Sequence, residues 1–337
     1  MKIAILTHPL GANYGGILQA YALSTYLTSQ GHDVVVLNRQ SELPWLKSKV
    51  RDLLISLHHP RYNNPRFKNL KEFVKKYINY SKPLPSTSSL TKFLRDNEID
   101  SVIVGSDQVW RKDFAMGYGF NYFLDFVPDD LLKISYAASF GLSDWQYSEE
   151  QTTVIKKLLS SFVGVSVREI DGQDLCVKNL GISPKQVLDP TLLLDTSYYK
   201  KIASPLLSDK PYIFVYWLGT EVEKQKAIQA TCPSGVKIID LSLRSTASLV
   251  SIEDWLSYIL YSEKVITDSF HGVVFSILFK KQFTISENNS GGNGRLNSLF
   301  KILNIDPSCT EIDYTSVYEK LESHRIASYN YLKDLFK

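Results

Sequence analysis

The stretch Thr267-Asp-Ser-Phe-His-Gly272 sets one imidazole beside a carboxylate, a hydroxyl and a glycine. A neutral imidazole does acid–base work near pH 7, so His271 is a candidate general acid or base. Ser269 is a poor acyl-transfer nucleophile, because no G-x-S-x-G turn surrounds it. In Ser166-Val-Arg-Glu169, Arg168 ends an apolar run. Its guanidinium suits a carboxylate or phosphate held by two parallel hydrogen bonds, and the plainer alternative is an ion pair with Glu169. Asn13-Tyr-Gly-Gly16 is not the G-x-G-x-x-G of a dinucleotide site. Gly15 and Gly16 let backbone approach a ligand, with Asn13, Tyr14 and Gln19 as polar neighbours; a tight turn is the alternative. Gly105-Ser-Asp-Gln-Val-Trp110 offers Asp107 and Gln108 to sugar hydroxyls and Trp110 as a stacking face, or else a helix cap and a core indole. The Asn- and Gly-rich stretch from Asn288 ends in Arg295, which would meet an anion if the loop closes over substrate.

Each motif follows an apolar run. Strands are predicted over Ile3–Thr7, Val34–Leu37, Ser101–Gly105, Lys133–Gly141 and Val163–Val167, with helices from Ile17 to Gly31 and over Ser148–Ser161. The second half repeats the pattern. Strands over Tyr212–Trp217, Lys237–Leu241, Lys264–Thr267 and Gln282–Ser286 alternate with helices over Glu221–Ala230, Ser251–Tyr261, His271–Phe279 and Gly294–Leu303. Such alternation means parallel sheets: an α/β chain of two Rossmann-like, doubly wound domains facing a cleft. Ligands in such sheets sit beyond the carboxyl ends of the strands, which is where the motifs fall. The polar stretch Thr196–Lys210 reads as the linker. The expected division is 1–197, 198–315 and a C-terminal helix over 316–337, with the acceptor on the first half and the donor on the second.

Composition narrows the class. The chain has 337 residues, 44% hydrophobic and 22% charged, an ordinary globular balance. A net charge of +3 is too small to argue for nucleic-acid binding. Cys176, Cys232 and Cys309 are far apart, and no Cys/His spacing suggests a metal. Neither a leader nor a membrane span is visible, so a cytoplasmic location is expected. Charge is uneven: residues 41–80 hold nine Lys and Arg against three acids, a local +6 that leaves −3 for the rest. That segment is either a solvated helical face or a peripheral contact with anionic lipid or a lipid-linked acceptor.

Six motifs in order resemble the polysaccharide pyruvyl transferase family. They are Asn13–Ala22, Val104–Trp110, Ser135–Gly141, Ser166–Glu169, Val187–Thr191 and Thr267–Gly272. The resemblance implies a GT-B-like fold with a C-terminal helix crossing back to the first domain. It implies transfer of pyruvate from phosphoenolpyruvate, a co-substrate, onto two hydroxyls of one sugar as a cyclic ketal in surface-polysaccharide biosynthesis. No further cofactor and no metal are implied. Arg168 and His271 would be catalytic, and Arg168, Ser269, His271, Gly272 and Arg295 would meet the donor. Asn13, Tyr14, Gly15, Gly16, Gln19, Asp107, Gln108 and Trp110 would face the acceptor. The pattern departs at Ser269, where many members carry Arg; either Arg244, Lys281 or Arg295 supplies that cation or the donor differs. A nucleotide-sugar glycosyltransferase and a non-catalytic glycan-binding protein are the competing readings.

Overall fold

The structure is a computed structural model, and it describes residues 1–11, 13–40, 65–242, 249–285, 293–307 and 311–337. Two four-stranded parallel sheets organise it. The first contains β1 (Lys2–Leu6), β2 (Asp33–Val36), β3 (Ser101–Val104) and β4 (Leu132–Ser135), in the order β2-β1-β3-β4. A small pair follows, β5 (Ser166–Val167) with β6 (Lys185–Gln186). The second sheet contains β7 (Tyr212–Trp217), β8 (Lys237–Ser242), β9 (Lys264–Thr267) and β10 (Gln282–Ile285), in the order β10-β9-β7-β8. The central strands read as unbroken apolar runs because helices cover both faces, so β3 and β7 are buried along their whole length.

The expected strand over Lys133–Gly141 is shorter in the structure. After Ser135 the chain leaves the sheet, and Ala138 bridges both Asp107 and Val167. The backbone thereby links the segments that follow β3 and β5, which carry two of the candidate motifs. The linker expected over Thr196–Lys210 also differs. Its first part is the helix Thr196–Ile202, started by Asp195, whose carboxylate accepts from Ser197 N at 2.8 Å. Tyr199 anchors that helix: its hydroxyl donates to Thr191 O at 2.8 Å and its ring stands edge-on to Phe275.

The helix Tyr14–Ser29 is buried on almost all sides, as a helix wedged between layers must be. Its residues share one apolar cluster with β1, β3, β7 and β9. The C-terminal helix Tyr314–Leu335 ties the halves together a second time. The Tyr318 hydroxyl donates to Leu278 O at 2.6 Å, while Tyr329 stacks on Tyr26 and the Tyr331 hydroxyl donates to Ser135 O at 2.9 Å. It therefore crosses back to the first sheet.

Of the basic segment, residues 41–64 lie outside the described residues. The helix Lys68–Tyr77 spends its apolar stripe, Leu70, Phe73 and Val74, on the core. Lys68, Lys71, Lys75 and Lys76 face solvent there together with Glu72. No helix among the described residues is long and apolar enough to cross a membrane.

Candidate active site

The end of β9 is stitched to the end of β7. Thr267 Oγ1 donates to Tyr216 O at 2.7 Å, and the Asp268 carboxylate accepts from Leu218 N at 2.8 Å and Gly219 N at 2.7 Å. Asp268 is therefore a strut, with both oxygens engaged. Ser269 caps the helix Phe270–Leu278, its hydroxyl accepting from Gly272 N at 3.4 Å. Gly272 packs on Thr267, and a Cβ there would collide with that side chain. Ser269 and Gly272 thus shape the turn that positions His271.

His271 is buried, with Nε2 3.8 Å from Asp189 Oδ2. Burial pulls its pKa below the usual histidine value; Asp189 opposes this and Arg168 adds to it. Asp189 was present in the quoted Val187–Thr191 motif but carried no assigned role. Its Oδ2 accepts from Arg168 Nη1 at 2.8 Å and Ser106 Oγ at 3.3 Å, and its Oδ1 accepts from Thr191 N and Oγ1. Burial raises the Asp189 carboxyl, but His271, Arg168 and the bonds from Thr191 more than offset it, so its pKa is lowered.

Arg168 is buried among carboxylates. Besides Asp189, its Nε lies 3.6 Å from Glu169 Oε2 and its Nη2 3.9 Å from Asp107 Oδ1. The pair with Glu169 exists, but inside the protein rather than at its surface. The guanidinium also lies 4.6 Å from the centroid of the Phe270 ring, and Arg295 approaches the same ring at 5.8 Å. Burial and then the charge of Arg168 pull Arg295 down to about 10, which still leaves it protonated at neutral pH. Nε and Nη2 of Arg168, Nε of Arg295 and Nε2 of His271 are all buried without a hydrogen-bond partner. Buried donors left unspent are costly and mark a place where a ligand completes the bonding. Of the three cations considered for the gap at Ser269, Arg295 reaches the site. Lys281 lies beyond the far end of the helix and donates to Ser262 O at 2.8 Å, and Arg244 lies outside the described residues.

A cavity of about 580 Å³ adjoins this centre, lined by His8, Asn13, Gly16, Asp107, Gln108 and Phe114 among others. Asp107 belongs to both: it faces Arg168 and it lines the cavity. It holds a φ of +70°, a sparsely populated backbone state for a residue with a side chain. Burial pushes its carboxyl up, but the charges of His8, Arg168, His271 and Arg295 outweigh burial and hold it below the ordinary carboxylate range. Asn13 caps the first helix, its Oδ1 accepting from Gly15 N at 3.0 Å and Gly16 N at 3.3 Å. Gln108 lines the cavity and accepts from Arg111 Nη1 at 3.2 Å. Gly15 is pressed against His271, so that any Cβ there would overlap the imidazole.

Three expected acceptor contacts are corrected. Trp110 is fully buried, donates Nε1 to Tyr122 O at 2.9 Å and stacks on Phe123, so its indole belongs to the core. Tyr14 stacks on Trp255 and donates its hydroxyl to Val250 O at 2.9 Å, pinning the first helix to the second half. Gln19 is fully buried, donating Nε2 to Thr7 Oγ1 and Gly16 O and accepting from Ser106 N, so it braces the loops. The aromatic groups at the cavity are instead Phe114 and Tyr118. Spacing alone would not mark them, since neither lies in a strand-end motif.

Two parallel sheets and a C-terminal helix crossing back define a GT-B-like protein. Solved structures with this arrangement include a glycosyltransferase from Rickettsia africae, with a TM-score of 0.53 at 11% identity, covering 100% of this chain and 98% of that one. UDP-GlcNAc 2-epimerase from Neisseria meningitidis bound to UDP-GlcNAc matches with a TM-score of 0.52 at 12% identity, covering 99% and 100%. A putative UDP-N-acetylglucosamine 2-epimerase from Listeria monocytogenes matches at 0.52 and 10%, covering 97% and 90%. At such identities the likeness is one of fold. The chain itself belongs to the polysaccharide pyruvyl transferase family, whose profile matches residues 13–290. No curated protein sequence matches significantly.

Proposed function

We propose that this protein moves pyruvate from phosphoenolpyruvate onto two hydroxyls of one sugar, forming a cyclic ketal. The observation that carries the reading is the pair of buried guanidinium groups, Arg168 and Arg295, with unspent N–H donors beside the neutral imidazole of His271. Phosphoenolpyruvate carries a carboxylate and a phosphate on one carbon, and two planar cations can hold one each. His271, which takes up a proton as the anion enters, then passes that proton to the methylene carbon, turning it into a methyl group. The carbon that bears the phosphate becomes cationic and a sugar hydroxyl attacks it. Phosphate leaves, and a second hydroxyl closes the ring. Of the two hydroxyl protons released, one balances the proton given to the methylene and the other departs on phosphate.

Charge bookkeeping sharpens this. Arg168 and Arg295 face three carboxylates, Asp107, Glu169 and Asp189, so the centre has no surplus of positive charge while His271 is neutral. An entering phospho-anion therefore favours the imidazolium. Because burial keeps the free protein's imidazole pKa low, donor binding near pH 7.5 should take up protons, and affinity should rise as pH falls. Calorimetry in buffers of different ionisation enthalpy would show this as differing observed heats; equal heats would rule out His271 as the proton carrier.

The direct test incubates the protein with phosphoenolpyruvate and a panel of model and lipid-linked glycosides, reading free phosphate and product mass. His271→Ala should cut turnover at least about tenfold. A melting shift with uridine diphosphate but none with phosphoenolpyruvate would support a nucleotide-sugar enzyme instead.

A further inference from the structure

His8 lies just beyond β1, at the carboxyl end of the strand. Its ring stands edge-on to Phe114, with centroids 5.6 Å apart, and to Tyr122 at 5.2 Å. It lines the same cavity as Asp107. Its Nε2 and the hydroxyl of Tyr122 are both buried with no hydrogen-bond partner. Two unsatisfied polar atoms on neighbouring rings are expensive unless a polyhydroxylated ligand or water completes them. Phe114, 44% exposed at the rim, presents an apolar face to such a ligand.

Ketal formation needs a proton donor for the methylene and a proton acceptor for the attacking hydroxyl. His271 stands with the donor-side cations Arg168 and Arg295, whereas the cavity that offers room for a sugar is lined by His8. Asp107 is already engaged with a cation, its Oδ1 3.9 Å from Arg168 Nη2, and a carboxylate is a weak base for a hydroxyl. An imidazole is the better match near neutral pH.

We propose that His8 is the acceptor-side base, taking the proton of the sugar hydroxyl that attacks the donor while Phe114 carries the sugar ring. The O–H bond breaks, the proton passes to the imidazole, and the freed electron pair forms the new C–O bond. Asp107 faces the imidazolium that results, and phosphate carries the proton away when it departs. The donor half of this step rests on the pyruvyl-transfer reading; the sugar contact does not. The titratable groups facing His8 are Asp107 from the loop after β3, Asp113 and Tyr118 from the following cavity wall, and Tyr122 packed beneath.

The test begins without donor. Methyl glycosides of hexoses and N-acetylhexosamines should shift the NMR signals of the His8 imidazole in histidine-labelled protein. Phe114→Ala should weaken that binding at least about tenfold. With phosphoenolpyruvate added, His8→Gln should lose at least about 100-fold in kcat while its donor affinity stays at the wild-type value. A circular dichroism spectrum and melting point like the wild type's would show that His8→Gln is folded; if it is not, His8→Asn replaces it. No signal change with any glycoside would overturn the proposal without reference to the donor. So would an active wild type whose rate survives His8→Gln. Sugar contact at His8 in a protein that turns over no phosphoenolpyruvate would support the acceptor site and overturn the pyruvyl-transfer reading instead.

Discussion

Arg168→Gln is expected to damage both stability and donor binding, whereas Arg295→Gln should damage donor binding alone. The difference lies in what each guanidinium neutralises. Arg168 bonds Asp189 at 2.8 Å, and Glu169 and Asp107 lie within 4 Å of it. Removing it leaves a fully buried Asp189 carboxylate short of its main partner. Breaking a buried pair in this way costs about 3–5 kcal/mol, a large share of the roughly 5–15 kcal/mol that holds a typical domain. Arg295 is the reverse case. Burial and the charge of Arg168 both oppose its charged form, so the fold gains little from that charge, and a neutral Gln should change stability by no more than about 1 kcal/mol. For binding the two should be alike. Each loses charge-assisted hydrogen bonds worth about 1.5–3 kcal/mol, roughly 10- to 150-fold in phosphoenolpyruvate affinity. Urea unfolding and calorimetric titration separate the two effects. Unchanged affinity in Arg295→Gln would remove it from the donor site and reopen the question posed by Ser269. Unchanged stability in Arg168→Gln would mean that the carboxylates around it do not depend on its charge.

The sheets were legible in the sequence because buried parallel strands are unbroken apolar runs, and Tyr212–Trp217 and Lys264–Thr267 stand out as such. Strand-end motifs were legible for the same reason: Arg168 and His271 come immediately after such runs. What the sequence could not convey is direction. Trp110 and Tyr14 sit within polar motifs and look available, yet their polar atoms are spent on Tyr122 O and Val250 O. An indole or phenol beside glycines reads alike whether it points into the cleft or the core. The partners of the central arginine were hidden too. Asp189 is 21 positions from Arg168 and meets it only because β5 and β6 pair side by side. His8 belongs to none of the six motifs, and its place just after β1 was the available signal. Arg295 lies 24 positions beyond His271 in sequence, and only the approach of both arginines to the Phe270 ring brings it beside Arg168.

Gly15→Ala should lower turnover about 100-fold while leaving the protein folded. Nothing in the backbone forbids alanine there, since Gly15 lies in the first turn of a helix. Alanine is the better helix former by about 1 kcal/mol. The obstacle is the other half of the molecule: a Cβ at Gly15 would overlap the His271 ring. Something must move, and neither backbone yields easily. The first helix is fixed by the Asn13 cap and by Tyr14 stacked on Trp255. The helix that carries His271 is fixed by Ser269 and by the fit of Gly272 on Thr267. The softest element is the imidazole itself, held 3.8 Å from Asp189 with no hydrogen bond on Nε2. Overpacking of this kind costs about 1–3 kcal/mol, and the gain in helix propensity offsets part of it. The ring displacement is the more serious effect, because an error of about 1 Å at a proton-transfer group costs about 100-fold in rate. Thermal melting and kcat for the variant should therefore part company, with a small change in the first and a large fall in the second. If Gly15→Ala melts and turns over like the wild type, the position of the His271 ring does not limit the reaction, and its assignment as the acid that protonates the donor falls with it.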